Sequence, residues 1–191
     1  MLWLLLILAT ADAAQQADTE PVTAVRVGVG LGGGDLGGDL GVAIAADLTV
    51  EHWLRPGSLT TSPVRAAYGV GVRLHVSLNT EIFGDEREVI GLEPYFTVGA
   101  PMEARLRPVG AIGAGLARER YFHGCSPLYY VFGGTCRAHW SSPELVGTGS
   151  VSFGIASRRS AVALLGRLQG TTGGGATATI NIQVGGAVPR R

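Results

Sequence analysis

Val64–Leu78, VRAAYGVGVRLHVSL, is the stretch that decides the fold. Its even-numbered positions, Val64, Ala66, Tyr68, Val70, Val72, Leu74, Val76 and Leu78, make one apolar row. The odd positions, Arg65, Ala67, Gly69, Gly71, Arg73, His75 and Ser77, are small, polar or charged. Alternation with a period of two is the signature of a strand with one oily face; a helix would scatter the two arginines and the histidine among the valines. The run also exceeds the ~5–6 residues usual for soluble strands and is nearer the ~9–11 of a tilted strand that crosses a membrane.

Working outward, the same alternation recurs on both sides. Val25, Val27, Val29 and Leu31 oppose Ala24, Arg26, Gly28 and Gly30, and Gly32–Gly38 then reads as a Gly/Asp turn. Leu40, Val42, Ile44, Ala46, Leu48 and Val50 oppose Asp39, Ala43, Asp47, Thr49 and Glu51, before a proline-bearing loop at His52–Pro63. Beyond the central stretch, Asn79–Arg87 is turn-like, and Ile90, Leu92, Phe96 and Val98 oppose Gly91, Glu93, Tyr95 and Thr97. Glu103–Glu119 is the next run, in which Pro108 removes a ladder donor and predicts a bulge. Arg120–Ser142 is the longest irregular segment; two further alternating runs and a last strand around Ile180, Ile182 and Val184 follow it. The sum is about eight strands in hairpin succession, an even number as in bacterial single-chain barrels. Ten residues at ~3.3 Å each, tilted ~45°, cover about 23 Å, close to the ~25 Å apolar band of such barrels. The expected fold is all-β: a single up-and-down antiparallel transmembrane β-barrel.

The charges fix which face looks where. Arg26, Asp47, Glu51, Arg65, Arg73, His75, Glu93, Arg105, Arg107 and Arg167 all fall on the small or polar face. An arginine against lipid at mid-membrane costs roughly 2–4 kcal/mol, so the oily face goes outward and these ten form a network inside. An eight-stranded barrel has room for little besides its own side chains, so the mixed signs predict a plug of Arg–carboxylate pairs. A structural network is preferred to an ion or proton path because pairing is what buried charge demands.

Composition narrows the remaining classes. The 191 residues carry a net charge of +0, which leaves no footprint for nucleic acid. Thirty glycines fall at alternating positions in apolar runs rather than in a Gly-X-Y repeat. Residues 1–13 (MLWLLLILATADA) have the short apolar core and small-x-small site of a signal peptide, residues 14–21 form a polar periplasmic tail, and 22–188 form the barrel domain.

The pattern across Val22–Val188 resembles the small eight-stranded outer-membrane barrels of the OmpA/OmpX type. The resemblance implies the outer membrane of a Gram-negative bacterium, contact with outer-membrane lipid and with the barrel-insertion machinery, and a structural or surface-interaction role. The alternative is a soluble secreted, lipocalin-like barrel holding a small apolar ligand, which needs the opposite strand orientation.

Export would place Cys125 and Cys136 where a disulfide forms, closing a short loop and stabilising it by about 3 kcal/mol. A thiol pair or metal site is the competing reading; His123 and His139 flank the cysteines, but the spacing matches no standard zinc pattern. Tyr121, Phe122, Tyr129, Tyr130, Phe132 and Trp140 make this segment the most aromatic of the chain. They suit either a surface recognition loop for an extracellular ligand or a cover over the barrel mouth. His75 with Ser77, or His139 with Ser141 and Ser142, lacks a positioned nucleophile–base–orienter set, so no enzyme is expected. Gly28, Gly30 and Gly32 mimic a nucleotide loop, but no helix follows. No cofactor or metal is expected.

Overall fold

A computed structural model describes residues 22–35, 40–54, 66–80, 85–100, 104–123 and 139–188. Eight long strands follow one another: β1 (Val22–Asp35), β2 (Leu40–Trp53), β3 (Ala67–Thr80), β4 (Glu86–Gly99), β5 (Leu106–His123), β7 (Glu144–Ser157), β8 (Val162–Thr171) and β9 (Ala176–Ala187). A two-residue strand, β6 (His139–Trp140), pairs back on Phe122 and His123 at the end of β5. Each long strand is antiparallel to its neighbours; β1 pairs with β9 and β4 with β5, so the sheet closes on itself. Closure leaves no strand edge unpaired, which is what hydrocarbon requires of a β-structure.

The central stretch keeps its alternation. Val70, Val72, Leu74 and Val76 are exposed, while Arg73 and His75 are buried. The pattern repeats around the barrel, with Val27, Leu31, Ile112, Phe153, Leu168 and Ile180 among the outward residues. A water-soluble protein has this distribution reversed.

Four readings of the sequence change in detail. Gly32–Gly34 are strand rather than turn, in register with Ala43, Val42 and Gly41. A Cβ at Gly34 would lie 2.2 Å from the Asn79 amide oxygen, so glycine there makes room for a lumen side chain. Second, β4 begins at Glu86, so Arg87 lies on a strand and points inward. Third, β5 continues to His123, four residues into what composition marks as irregular. Fourth, Pro108 causes no bulge: β5 holds one register with β7 from Leu106↔Ser157 to Glu119↔Glu144. Pro108 faces the end of β4, where its carbonyl accepts from Ala100 N at 3.1 Å. The Ala100 carbonyl, which an ordinary residue 108 would donate to, accepts instead from Arg107 Nε at 2.9 Å.

The start of β1 and the end of β9, with Trp53, Ala67, Gly99 and Leu106, lie at one end of the barrel, here the termini end. Asp35, Thr80, Glu86 and Thr171 lie at the other, the hairpin end.

Candidate functional site

The inner face is small and is filled in layers. At the termini end an apolar floor joins Trp53, Ala67, Val109, Ala156, Ala163 and Leu165. Arg107 lies over the Trp53 ring at 4.4 Å and donates from Nη1 to Ser160 Oγ at 2.7 Å. A guanidinium stacked on indole keeps its edge free for in-plane hydrogen bonds, so one side chain can serve both partners. Ser160 ends the single 3-10 turn between β7 and β8 (Arg158–Ser160) and has φ 57°, the left-handed region that most side chains avoid.

Above the floor, Glu51 gathers three donors: Arg26, in an ion pair, Trp53 Nε1 at 3.0 Å and Tyr95 OH at 2.8 Å. Its neighbour toward the centre is Glu93, fully buried and reached by Arg73 at 3.1 Å, Arg167 at 3.6 Å and the Ser150 hydroxyl. Arg73 also lies over the Tyr95 ring at 4.7 Å and donates to Ser150 Oγ at 3.2 Å. Asp47 accepts from Gln183 Nε2 at 2.8 Å, and His75 Nε2 pairs with the Gln169 amide at 2.6 Å. Asn79 and Thr177 meet at 3.3 Å nearer the hairpin end.

The hairpin end is closed by a second ion pair system. Arg87 pairs with Glu119 and donates from Nη2 to Thr171 Oγ1 at 2.7 Å. Tyr121 OH donates to Glu119 Oε1 at 3.2 Å. The β8–β9 turn folds over this pair, and a Cβ at Gly175 would fall 2.0 Å from the Arg87 guanidinium carbon. Between Arg26 and Arg73 the remaining space is about 10 Å³, on the scale of one water molecule.

Of the ten candidate lumen residues, Arg26, Asp47, Glu51, Arg73, His75, Glu93, Arg107 and Arg167 are buried inside. Arg105 is not: it is exposed in the bend before β5, because the strand starts at Leu106 and the alternation that would turn residue 105 inward has not yet begun. Arg65 lies outside the described residues, as do Cys125, Cys136, Tyr129, Tyr130 and Phe132. Arg87 and Glu119 complete the interior, and sequence reasoning passed over Arg87 by placing it in a turn. Its signal was available: Arg87, Val89, Gly91 and Glu93 share one parity.

The described aromatics of the rim lie around β5 and β6. Phe122 and Trp140 rings approach to 5.1 Å, and Arg120 covers Trp140 at 4.2 Å while pairing with Glu88. His75 and Ser77 are both buried, but His75 Nε2 is engaged by Gln169. Among the described residues no group of three or more His, Cys, Asp or Glu side chains is placed to hold a metal ion.

No protein-family model matches the sequence, and no curated protein matches it at a significant level. Solved structures do resemble it. The attachment invasion locus protein Ail of Yersinia pestis aligns over 88% of this chain and 99% of its own, with a TM-score of 0.51 and 8% identity. The N-terminal β-barrel domain of Pseudomonas aeruginosa OprF covers 87% and 99% at a TM-score of 0.49 and 12% identity. Neisserial surface protein A covers 85% and 96%, with a TM-score of 0.49 and 10% identity. The first of these establishes likeness of fold: the chain has the architecture of the small eight-stranded outer-membrane barrels.

Proposed function

We propose that this protein is an integral outer-membrane barrel of a Gram-negative bacterium, with a non-conducting, charge-plugged interior and a structural or surface-interaction role. The observation that carries this reading is the inverted partition of side chains on β3: Val70, Val72 and Leu74 outward, Arg73 and His75 inward. An outward belt of Val, Leu, Ile and Phe is stable against lipid and an aggregation hazard in water. A lipocalin-like cup needs those residues at the centre, where ion pairs now stand.

In this reading both chain ends are periplasmic and the hairpin end faces outside. The segment between β5 and β6, with Tyr121, Phe122 and Trp140 at its roots, is then the surface element that presents Tyr129, Tyr130 and Phe132, closed by a Cys125–Cys136 disulfide. Catalysis forms no part of the proposal.

Fractionation tests it. The protein should need detergent for extraction from outer membranes, and the unboiled sample should migrate differently in a gel from the boiled one. A protein that partitions into buffer without detergent overturns the reading.

A further inference from the structure

The interior holds more positive than negative charge. Among the described residues five arginines are buried there, Arg26, Arg73, Arg87, Arg107 and Arg167, against four carboxylates, Asp47, Glu51, Glu93 and Glu119. The surplus is felt around Glu93, one carboxylate approached by Arg73 at 3.1 Å and by Arg167 at 3.6 Å. Asp47 accepts its hydrogen bond from a neutral amide, that of Gln183. A net charge walled off by hydrocarbon is costly unless a counterion shares the space.

The void of about 10 Å³ between Arg26 and Arg73 lies beside this surplus. Both side chains are 3% exposed, and the Nε–H of each has no acceptor among the described residues. Ser152, also buried, adds a hydroxyl to the lining. The acceptors of the lining are already engaged. Glu51 receives Arg26, Tyr95 and Trp53, and the Gly110 carbonyl receives the Thr97 hydroxyl at 3.2 Å. Glu51 is the acid of this lining, and the cation it pairs with, Arg26, lines the void beside it.

That inventory selects the occupant. A water molecule here would meet two charged donors and little that could take its own protons. An anion only accepts, so it matches the lining as it stands and offsets the surplus charge. The volume admits one small sphere and no polyatomic anion.

We infer that the lumen binds one chloride ion between the guanidinium groups of Arg26 and Arg73. The inference rests on the charge-plugged interior proposed above and adds to that plug a component the chain does not encode.

Ala111 provides the control, because it lines the void from the inner face of β5, in register with Thr97 and Ser152. Ala111→Val fills that space without touching a charge. Urea unfolding of the detergent-folded full chain is compared in potassium chloride and in potassium gluconate of equal concentration. An anion held only by the folded barrel stabilises it by mass action, so the wild-type midpoint should shift upward in chloride, and Ala111→Val should lose that shift. Crystals of wild type grown in bromide should show an anomalous peak between the two guanidinium groups, which decides the question even where the variant fails to fold. Equal midpoints in the two salts overturn the site. So does a chloride shift that Ala111→Val retains, since the ion then acts elsewhere, and so does a position that holds water in the bromide crystals. The plugged reading fails separately, by steady conductance across a planar bilayer, whatever the bromide shows.

Discussion

The two halves of the lumen solve burial differently. On β1 to β5 the inner face carries Arg26, Asp47, Glu51, Arg73, Arg87, Glu93, Arg107 and Glu119, whereas β7 and β9 offer Thr148, Ser150, Ser152, Thr177, Thr179, Asn181 and Gln183. On β8 Arg167 is the exception. Charges pair chiefly within their own half, as Arg26–Glu51, Arg73–Glu93 and Arg87–Glu119. The neutral half supplies hydrogen bonds that complete their coordination: Ser150 and Thr171 accept from Arg73 and Arg87, and Gln183 donates to Asp47. A buried ion missing one partner is far more costly than a missing neutral hydrogen bond. The charged half should therefore dominate stability, with the neutral half trimming it.

Glu93→Gln is the severest test. It leaves Arg73 and Arg167 buried beside a neutral amide. We expect a loss of about 3–5 kcal/mol in denaturant unfolding of the detergent-folded barrel. Replacing the pair together, Glu93→Leu with Arg73→Met, should cost less than Glu93→Gln alone, because no orphaned charge remains on the Arg73 side. If the pair replacement costs more than the single one, the ions stabilise in a way that pairing alone does not explain.

Gln183→Leu comes next. It removes from the neutral half the amide that Asp47 accepts at 2.8 Å. A hydrogen bond to a charged group carries about 1.5–3 kcal/mol, so the same unfolding measurement should fall between the two classes. A loss as large as that of Glu93→Gln would erase the distinction between the halves.

The sequence shows which side chains face inward, though not the contrast between the two halves. Period-two alternation with charges of one parity is enough to separate inside from outside on β3, since shifting the register by one would turn Arg73 to lipid. Strand ends were less legible, and for a physical reason. Gly32–Gly34 and Asn79 carry turn-like composition, yet Gly34 leaves space that the asparagine fills. A sequence window cannot tell glycine used for conformation from glycine used for volume. The same ambiguity hides Arg87, and parity misplaces Arg105 because alternation does not extend past the start of β5. Partner choice lay further still from reach: whether Glu93 faces Arg73, Arg167 or Arg107 depends on strand stagger around a closed barrel, which alternation does not encode.

Thr179→Val isolates the weakest kind of contact in the lumen. Thr179 Oγ1 accepts from Asn181 Nδ2 at 2.8 Å, two residues away on the same strand. Valine keeps the β-branched shape that suits a strand and removes only the hydroxyl, so neither cavity nor strand propensity changes much. The expected cost is about 1 kcal/mol, the loss of one neutral hydrogen bond with its donor left to find another partner. A loss of several kcal/mol here, rivalling Glu93→Gln, would mean that the hydroxyl and amide ladder of β9 holds the barrel shut as firmly as the ion pairs do. The contrast between the halves would then be one of composition and not of energy.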